Sequence, residues 1–585
     1  MKNSLIALSS MLMLGGTALA QKVAFEEYDL PNGLHVILHN DQSAPVVITS
    51  VMYHVGAKDE NPERTGFAHF FEHLLFEGTE NIKRGEWFKI VTSNGGTNNA
   101  NTTEDRTYYF EVFPSNNAQL GLWMESERLM HPVINQIGVD TQNEVVKEEK
   151  RLRVDNQPYG QLIAEVKKNM FKVHPYRWAT IGSMEHLDAS KLEEFQAFNK
   201  KFYTPNNAVL VVAGQIDVEQ TKKWIQDYFG PIPRGVELKK ETFVEAPITE
   251  TINATYEDPN IQKPMVVAAY RIPSMKTRDA RVLDMISTYL SNGKSSKLYK
   301  KIVDDKKMAL QIGAFNYAQE DYGQYILYGM PQGDFTSADL IKEVDEEIVK
   351  LQTDLISEND FQKLQNINES NYVDANSSIE GVAENLATYY LLYGDVNLIN
   401  TDIDILRSVT REEMRAAAKK YLNPNQRLIL DYVPAKDKED TKNITEETPK
   451  ENYVSETEII LNPIYFDSNK NDLTNDASLE LDKIIELMNK NENIFILVKS
   501  HTDTKGSDKY NYILSTKRAH TIVKYFSSKG ISSKRITAKS YGKSNPKIRC
   551  EKCTEEQNAL NRRSEFLIVN KDISAPSDKQ AKQNK

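Results

Sequence analysis

The sequence has little cysteine, no sustained basic run and no long apolar run beyond the N-terminus. Each of these features excludes or disfavours a class of protein. Cys550 and Cys553 form a lone C-x-x-C, which lacks the second ligand pair of a structural zinc site, so a local disulfide in an oxidising compartment is favoured. There is no sustained basic run and the net charge is −11, which argues against a nucleic-acid partner. No apolar run beyond the N-terminus reaches the ~18 residues of a transmembrane helix.

The N-terminus has the pattern of a secretory signal peptide. Lys2 precedes an apolar stretch over 5–16, and Ala18-Leu19-Ala20 matches a cleavage site before Gln21. The apolar stretch is too short to anchor a chain in a membrane. The sequence therefore predicts that residues 1–20 are removed and that the mature chain is exported.

A helix-forming run over 66–76 carries two histidines and a glutamate in the order H-x-x-E-H. His69 and His73 lie one helical turn apart and can hold one metal ion between them. Two imidazoles suit Zn²⁺, and the carboxylate of Glu72 suits a general base for water; the order of these residues is also that of a known catalytic signature. A satisfied core cluster is the alternative, but burying three ionisable groups without a metal is costly.

A third ligand is expected on a second helix, predicted over 139–155. Its three-to-four spacing places Glu148 on a polar stripe and groups Glu149 with Val145 and Leu152 on an apolar stripe. A carboxylate on an inward face needs a cation, which a metal held by the two histidines would supply. An inward salt bridge to an arginine is the alternative.

These residues resemble the pitrilysin/insulinase family of metallopeptidases, in which a zinc-binding glutamate follows H-x-x-E-H at an interval similar to that between His73 and Glu149. The resemblance extends over about 25–434. Its motifs are LPNGLHVIL, GFAHFFEHLLFEGT, GGTNNANTTEDRTYYFEVFP and FYTPNNAVLVVAGQID. It implies that His69, His73 and Glu149 bind one Zn²⁺ per chain and that Glu72 activates water.

The segment 95–114 is the predicted place of substrate binding. Gly95-Gly96 predicts a turn, and 107–112 has the residue types of a strand. The resemblance implies that a strand here is an exposed edge beside the metal, to which a peptide adds through main-chain hydrogen bonds. It also implies that Asn99 contacts substrate. An ordinary sheet strand is the alternative.

The chain is expected to be an α+β protein with three folded parts. The resemblance implies two duplicated domains, each a sheet with packed helices: a catalytic domain over 21–235 and an inactive one over 236–434. A charged segment at 435–456, poor in apolar residues, is predicted to be a linker. A third domain over 457–570 follows, and the polar tail 571–585 is predicted to be disordered.

Residues 457–570 resemble the OmpA-like peptidoglycan-binding domain, of βαβαβ type. The motifs are HTDTKGSDKYNYILSTKRAH and, near the end, NRRSEF. The resemblance implies that Asp503 and Arg518 bind the charged ends of the diamino acid in peptidoglycan. A zwitterionic head needs an anion for its ammonium and a guanidinium for its carboxylate. A structural salt bridge between the two residues is the alternative.

Together the resemblances imply an exported zinc endopeptidase that cleaves peptides or unfolded segments. It would be held on peptidoglycan in the periplasm of a Gram-negative bacterium, by extension near the outer membrane. A non-catalytic wall-binding partner or chaperone-like subunit is the alternative, and a hydrolase of peptidoglycan peptides is a third. The family's closed chamber needs four copies of the duplicated domain. The chain has two, so the resemblance implies a homodimer or a heterodimer with an inactive member.

Overall fold

The computed structural model describes residues 22–435, 463–490, 494–532, 535–544, 546–548, 550 and 553–570. The predicted signal peptide and tail lie outside these ranges, as does the predicted linker apart from its first residue. The chain divides into two compact units, one up to residue 439 and one from residue 440. This division falls within the predicted linker, whereas the domain boundary at 235 stays a prediction. No helix in the described ranges has the length and apolar character needed to cross a membrane.

The first part of the larger unit is a six-stranded sheet with helices packed on it. The strand order is β1-β2-β6-β3-β5-β4. The strands are β1 (Glu26–Asp29), β2 (His35–Asn40), β3 (Val46–Tyr53), β4 (Thr97–Thr102), β5 (Thr107–Pro114) and β6 (Ala208–Gly214). The helices are α1 (Phe67–Leu74), α2 (Trp87–Ser93), α3 (Ala118–Met130), α4 (Gln136–Lys150), α5 (Leu162–Met170), α6 (Met184–Ala189), α7 (Leu192–Phe202) and α8 (Val218–Phe229).

The second part repeats this topology in a five-stranded sheet of order β7-β11-β8-β10-β9. In both sheets one parallel pair is followed by three antiparallel pairings, so β2-β6-β3-β5-β4 corresponds to β7-β11-β8-β10-β9. The strands are β7 (Ile252–Asp258), β8 (Met265–Pro273), β9 (Ala309–Ala318), β10 (Tyr322–Pro331) and β11 (Leu428–Pro434). The helices are α9 (Arg278–Ser291), α10 (Ser337–Thr353), α11 (Glu358–Ala375), α12 (Ile379–Thr388), α13 (Leu398–Arg407) and α14 (Arg411–Tyr421). The predicted duplication is therefore present.

Each sheet is covered on one face by a helix that belongs to the other half of the unit. Buried Val382 and Leu386 of α12 pack on the first sheet, in a cluster with Ile48 and Val211. In return, Val166 and Met170 of α5 pack on the second sheet in a cluster with Val267 and Leu430. Each of these two buried clusters therefore contains apolar side chains from both halves, so the halves are joined by common hydrophobic cores.

The smaller unit is a four-stranded sheet of order β12-β15-β13-β14 with three helices. Its elements are β12 (Ile464–Tyr465), α15 (Asn475–Lys490), β13 (Ile494–Ser500), α16 (Asp508–Ser528), β14 (Ile536–Ser540), α17 (Glu555–Asn561) and β15 (Arg563–Asn570). The predicted βαβαβ order is followed by a further helix and strand. A core of apolar side chains from α15, α16 and the sheet holds it together.

Candidate active site

Helix α1 presents the H-x-x-E-H residues on the side away from the core. Its other side buries Phe67, Phe70, Phe71 and Leu74. The helix begins after Gly66, whose φ of 100° is a conformation that suits glycine. The buried carboxylate of Glu60 accepts hydrogen bonds from the N–H groups of Gly66 and Ala68, both at 2.8 Å. A carboxylate near the N-terminus of a helix also interacts favourably with the helix dipole. These contacts fix the start of α1.

Helix α4 directs Glu149 towards α1 and Glu148 towards solvent, as predicted. The side chain of Glu149 is 15% exposed and that of Glu148 is 52% exposed. The predicted apolar stripe was wrong, however, because Val145 and Leu152 are each 44% exposed. Val139 and Val146 define the buried face instead. Val145 is displaced by about 100° from Val146 around the helix, and Leu152, seven residues after Val145, lies within about 20° of Val145 on the same exposed side. Helix α4 continues as a π-helix over Arg151–Asp155.

The structure brings His69, His73 and Glu149 together, with one donor atom from each within 4.8 Å of the others. Glu149 Oε2 lies 3.0 Å from His73 Nε2 and 3.7 Å from His69 Nε2. No group in the described part of the chain donates a hydrogen bond of acceptable geometry to this buried oxygen. Two imidazole nitrogens and a carboxylate oxygen around one point form the donor set of a catalytic zinc site, with a fourth position left for water. The residues therefore fit zinc.

Glu72 lies beside this cluster and is held by the end of strand β4. The hydroxyl of Thr102 donates to Glu72 Oε2 at 2.7 Å. Burial raises the pKa of Glu72, in the direction that suits a proton acceptor of moderate strength. Burial, together with the neighbouring His73, lowers the pKa of His69 to about 4, so its imidazole is neutral and available as a ligand.

The exposed edge beside the cluster is β4, not the strand predicted at 107–112. The predicted strand is β5, which lies between β3 and β4 inside the sheet. Residues 97–102 have few of the β-branched and aromatic residues that mark strands, so their composition carries little strand signal. Asn99 is exposed on β4 opposite Phe110 of β5. Strand β4 is at the edge of the sheet, and its last residue, Thr102, donates a hydrogen bond to Glu72. It is therefore a suitable place for an extended peptide to bind.

In the smaller unit, Asp503 is paired with Arg562 rather than with Arg518. Arg562 Nη1 donates to Asp503 Oδ2 at 3.1 Å. Buried Arg518 donates from its three nitrogen atoms to the backbone carbonyls of Lys470, His501 and Asp467, at 2.9–3.0 Å. The alternative of a direct salt bridge between Asp503 and Arg518 is thus not what the structure shows. Arg518 lies in α16, which begins at Asp508.

Cys550 and Cys553 are joined in a disulfide close to the loop that carries Asp503. Thr504, the next residue in that loop, contacts Cys553 Sγ at 3.9 Å. Asn558 of α17 donates to the carbonyl of Cys553 at 3.2 Å. The disulfide that the sequence favoured for these two cysteines is therefore present.

Three contacts around these sites involve residues that were not named from the sequence, although a salt bridge of Glu149 to an arginine was given as the alternative. Thr102 donates to Glu72, Arg562 pairs with Asp503, and Arg153 pairs with Glu149 Oε1 at 2.8 Å. Arg153 is four positions after Glu149, so helix spacing could have indicated this pair. The other two contacts join distant parts of the chain, and no local pattern signals them.

Family comparisons agree with this architecture. Residues 35–183 match Insulinase (Peptidase family M16), and residues 191–368 match the Peptidase M16 inactive domain. Residues 465–562 match the OmpA family. The chain belongs to peptidase family M16 and carries an OmpA-family domain. In this M16 protein the match to the inactive domain begins after α6. It therefore includes α7, β6 and α8, which belong to the first part of the larger unit.

Relatives of this M16 protein are named as zinc proteases. It is 29% identical over 399 residues to zinc protease PqqE of Helicobacter pylori, covering 67% of this chain and 90% of that protein. It is 23% identical over 411 residues to the uncharacterized zinc protease YmxG of Bacillus subtilis, covering 69% and 97%. A protease structure from Helicobacter pylori matches with a TM-score of 0.67 and 26% identity, over 70% of this chain and 100% of that chain. The periplasmic protease PqqL of Escherichia coli matches in fold, with a TM-score of 0.60 and 16% identity, over 70% of this chain and 47% of that one.

Proposed function

We propose that this protein is a zinc-dependent endopeptidase of the cell envelope that is held on peptidoglycan. The observation that carries the proposal is the convergence of His69, His73 and Glu149 beside Glu72, one hydrogen bond from an exposed edge strand. The names of the relatives support zinc and proteolysis. Export rests on the predicted signal peptide at 1–20. The substrates proposed are peptides or unfolded segments, since an edge strand accepts an extended chain.

Each residue of the site has a separate task in the proposed reaction. Zinc, when bound by the two histidines and Glu149, would polarise the scissile carbonyl and lower the pKa of a bound water molecule. Strand β4 aligns the extended substrate, with Asn99 on its exposed edge. Glu72 accepts the proton of the attacking water and then gives that proton to the leaving amine nitrogen. Thr102 holds the carboxylate that performs both transfers.

Metal content and peptide cleavage test this proposal together. The purified mature chain is expected to contain about one zinc and to cleave members of a mixed peptide library, with cleavage sites read by mass spectrometry. Glu72→Gln should keep zinc and lose cleavage by about 10²–10⁴-fold, because it removes a general base. Glu144→Gln, an exposed carboxylate of α4, is the matched control and should cleave normally.

The outcome of this experiment also separates the two classes of function. A chain that binds no zinc and cleaves nothing would reject the peptidase and favour the non-catalytic wall-binding protein. A chain in which Glu72→Gln cleaves at the wild-type rate would show that another group is the base. Chelator should abolish cleavage in the wild type, and added zinc should restore it.

Asp503 and Arg518 are proposed to bind the diamino acid of peptidoglycan. An arginine has five N–H donors, and three of those in Arg518 are used by carbonyls of described residues. The remaining two are proposed to bind the ligand carboxylate once the site, in which Arg518 is buried, opens to the ligand. Arg562 fixes Asp503, whose carboxylate would take the ammonium group. Residues 457–570 alone should sediment with purified sacculi, and Asp503→Ala or Arg518→Ala should abolish this. Undiminished binding by both folded variants would reject the site.

The active peptidase is proposed to be a dimer. The chain matches 47% of the Escherichia coli PqqL chain, and a structure described as the first half of that protein matches over 93% of its length. The matched part of this chain therefore corresponds in fold to one half of that longer chain, which supports the proposal that a second half encloses the site. Light scattering of residues 21–434 should report a dimer. A fully active monomer would refute the proposal, and a stable inactive monomer would point to a heterodimer.

A further inference from the structure

The turn between β4 and β5 is unusual because its three charged side chains are buried. Glu104, Asp105 and Arg106 are 3%, 4% and 9% exposed. Hairpin turns ordinarily lie in solvent, and burying consecutive charges is costly unless each finds a partner. The turn follows directly on Thr102, the residue that donates to Glu72. What holds the turn therefore also determines where Thr102 lies.

Each of the three charged residues finds a partner in the second, inactive half. The hydroxyl of Tyr317 donates to Glu104 at 2.8 Å. The backbone N–H of Glu320 donates to Asp105 at 3.0 Å. Arg106 donates to Glu384 of α12 at 2.8 Å. Within the first half, Lys167 pairs with Glu104 and Lys58 pairs with Asp105. Across the junction, Glu384 pairs with Arg106, and Tyr317 and Glu320 add hydrogen bonds to the two acidic residues of the turn.

Two of these partners, Tyr317 and Glu320, come from the equivalent hairpin of the duplicated sheet. Tyr317 and Glu320 lie at the end of β9 and in the turn before β10, which correspond to β4 and β5. Lys58 joins the two turns, at 2.9 Å from Asp105 and 2.6 Å from Glu320. The side chain of Glu320 is 1% exposed and also contacts His54. The two hairpin turns therefore interlock around buried ion pairs.

We propose that the inactive half takes part in catalysis as a positioning element, in which Tyr317 and Glu320 fix the β4–β5 turn so that Thr102 holds Glu72. Thr102 is a positioning residue, since it acts through Glu72 and touches no reacting atom itself. The same contacts fix the end of the edge strand. The inference rests on the proposed peptidase function, because it assigns Glu72 the role of base.

The first test compares two substitutions of Thr102 in the zinc-loaded mature chain. Thr102→Val keeps the shape and removes the donor, and it should lower kcat by about 10- to 100-fold, the rate equivalent of one hydrogen bond to a charged group. KM and zinc content should stay within about twofold, since substrate and metal contacts are intact. Thr102→Ser restores the donor and should recover kcat to within about threefold. Equal kcat in Thr102→Val and wild type, or loss of zinc from Thr102→Val, would overturn the inference.

The second test asks whether the inactive half acts through Thr102. Tyr317→Phe removes the hydroxyl that donates to Glu104 and should lower kcat by about three- to tenfold. In the Thr102→Val background the same change should cost less than about twofold more, because the connection is already broken. Tyr421→Phe is the matched control, since its hydroxyl donates to Asp279 within the inactive half at 2.6 Å. Losses that simply multiply in the double variant would reject the connection.

A measurement without turnover completes the design. Amide hydrogen exchange of the metal-free chain should rise over 97–107 in Tyr317→Phe and stay unchanged there in Tyr421→Phe. Unchanged exchange in both would show that Tyr317 does not hold the turn. The proposed function can fail separately, because an inactive wild-type chain rejects the peptidase. An active wild type with a fully active Thr102→Val rejects the positioning role alone.

Discussion

The half that carries the proposed catalytic site, with predicted bounds 21–235, is expected to be unable to fold without the second half. Separation would expose one face of the first sheet, which α12 covers. Six large side chains on this face are no more than 1% exposed, namely Ile37, Ile48, Met52, Tyr108, Val209 and Val211. Burying one such side chain contributes about 1.5–3 kcal/mol, so exposing all six would cost up to about 9–18 kcal/mol. This is comparable with the whole stability of an ordinary domain, about 5–15 kcal/mol.

The assay is expression of three fragments followed by thermal unfolding monitored by circular dichroism. Residues 21–235 alone should be insoluble or show no cooperative transition, and co-expression with residues 236–434 should restore a soluble complex. Residues 457–570 are the control, because the structure places them in a separate compact unit with its own core. A cooperative transition of the isolated catalytic half within a few degrees of the full chain would refute the reasoning about shared cores.

Three further outcomes are expected. Glu149→Gln should lose zinc whereas Glu148→Gln should keep it, as measured by metal analysis; the reverse result would overturn the assignment of the helix face. Burial raises the pKa of Asp59 to about 6, so this group stabilises the fold at acidic pH and loses that contribution as pH rises through 6. Asp59→Asn should therefore increase the free energy of unfolding at pH 8 by about 3 kcal/mol, seen as a higher Tm, and change it little at pH 4. Equal effects at both pH values would contradict this. Replacing Cys550 and Cys553 by serine should destabilise residues 457–570 by no more than about 2 kcal/mol in urea unfolding, because the closed loop is short.

The metal cluster shows how far local pattern reaches. The spacing of His69, Glu72 and His73 on a helix, and the orientation of Glu149 rather than Glu148, were predictable because helical periodicity is a property of neighbouring residues. The same reasoning placed Val145 and Leu152 inside, where they do not lie. Hydrophobicity alone does not fix the rotation of a helix about its axis, and Val145 and Leu152 share one side of α4 whichever side is buried.

The edge strand shows where local pattern fails. Residues 107–112 have strong strand composition and form β5, whereas 97–102 have weak composition and form the edge. Which strand ends a sheet depends on pairing between segments, and composition does not record it. The family resemblance located an edge in this region and not the strand that forms it.

The sequence by itself determined the residues proposed to bind zinc, the adjacent residue proposed as the base, the duplicated domains and the OmpA-type module, since each is carried by a motif, a local period or a family resemblance. Tertiary structure alone decided the contacts of Thr102 with Glu72, Arg562 with Asp503 and Tyr317 with Glu104. These pairs join residues far apart in the chain, and their partners are chosen when whole sheets and helices pack. A buried charge requires some partner, which is a physical rule, but the folded arrangement selects which partner it receives.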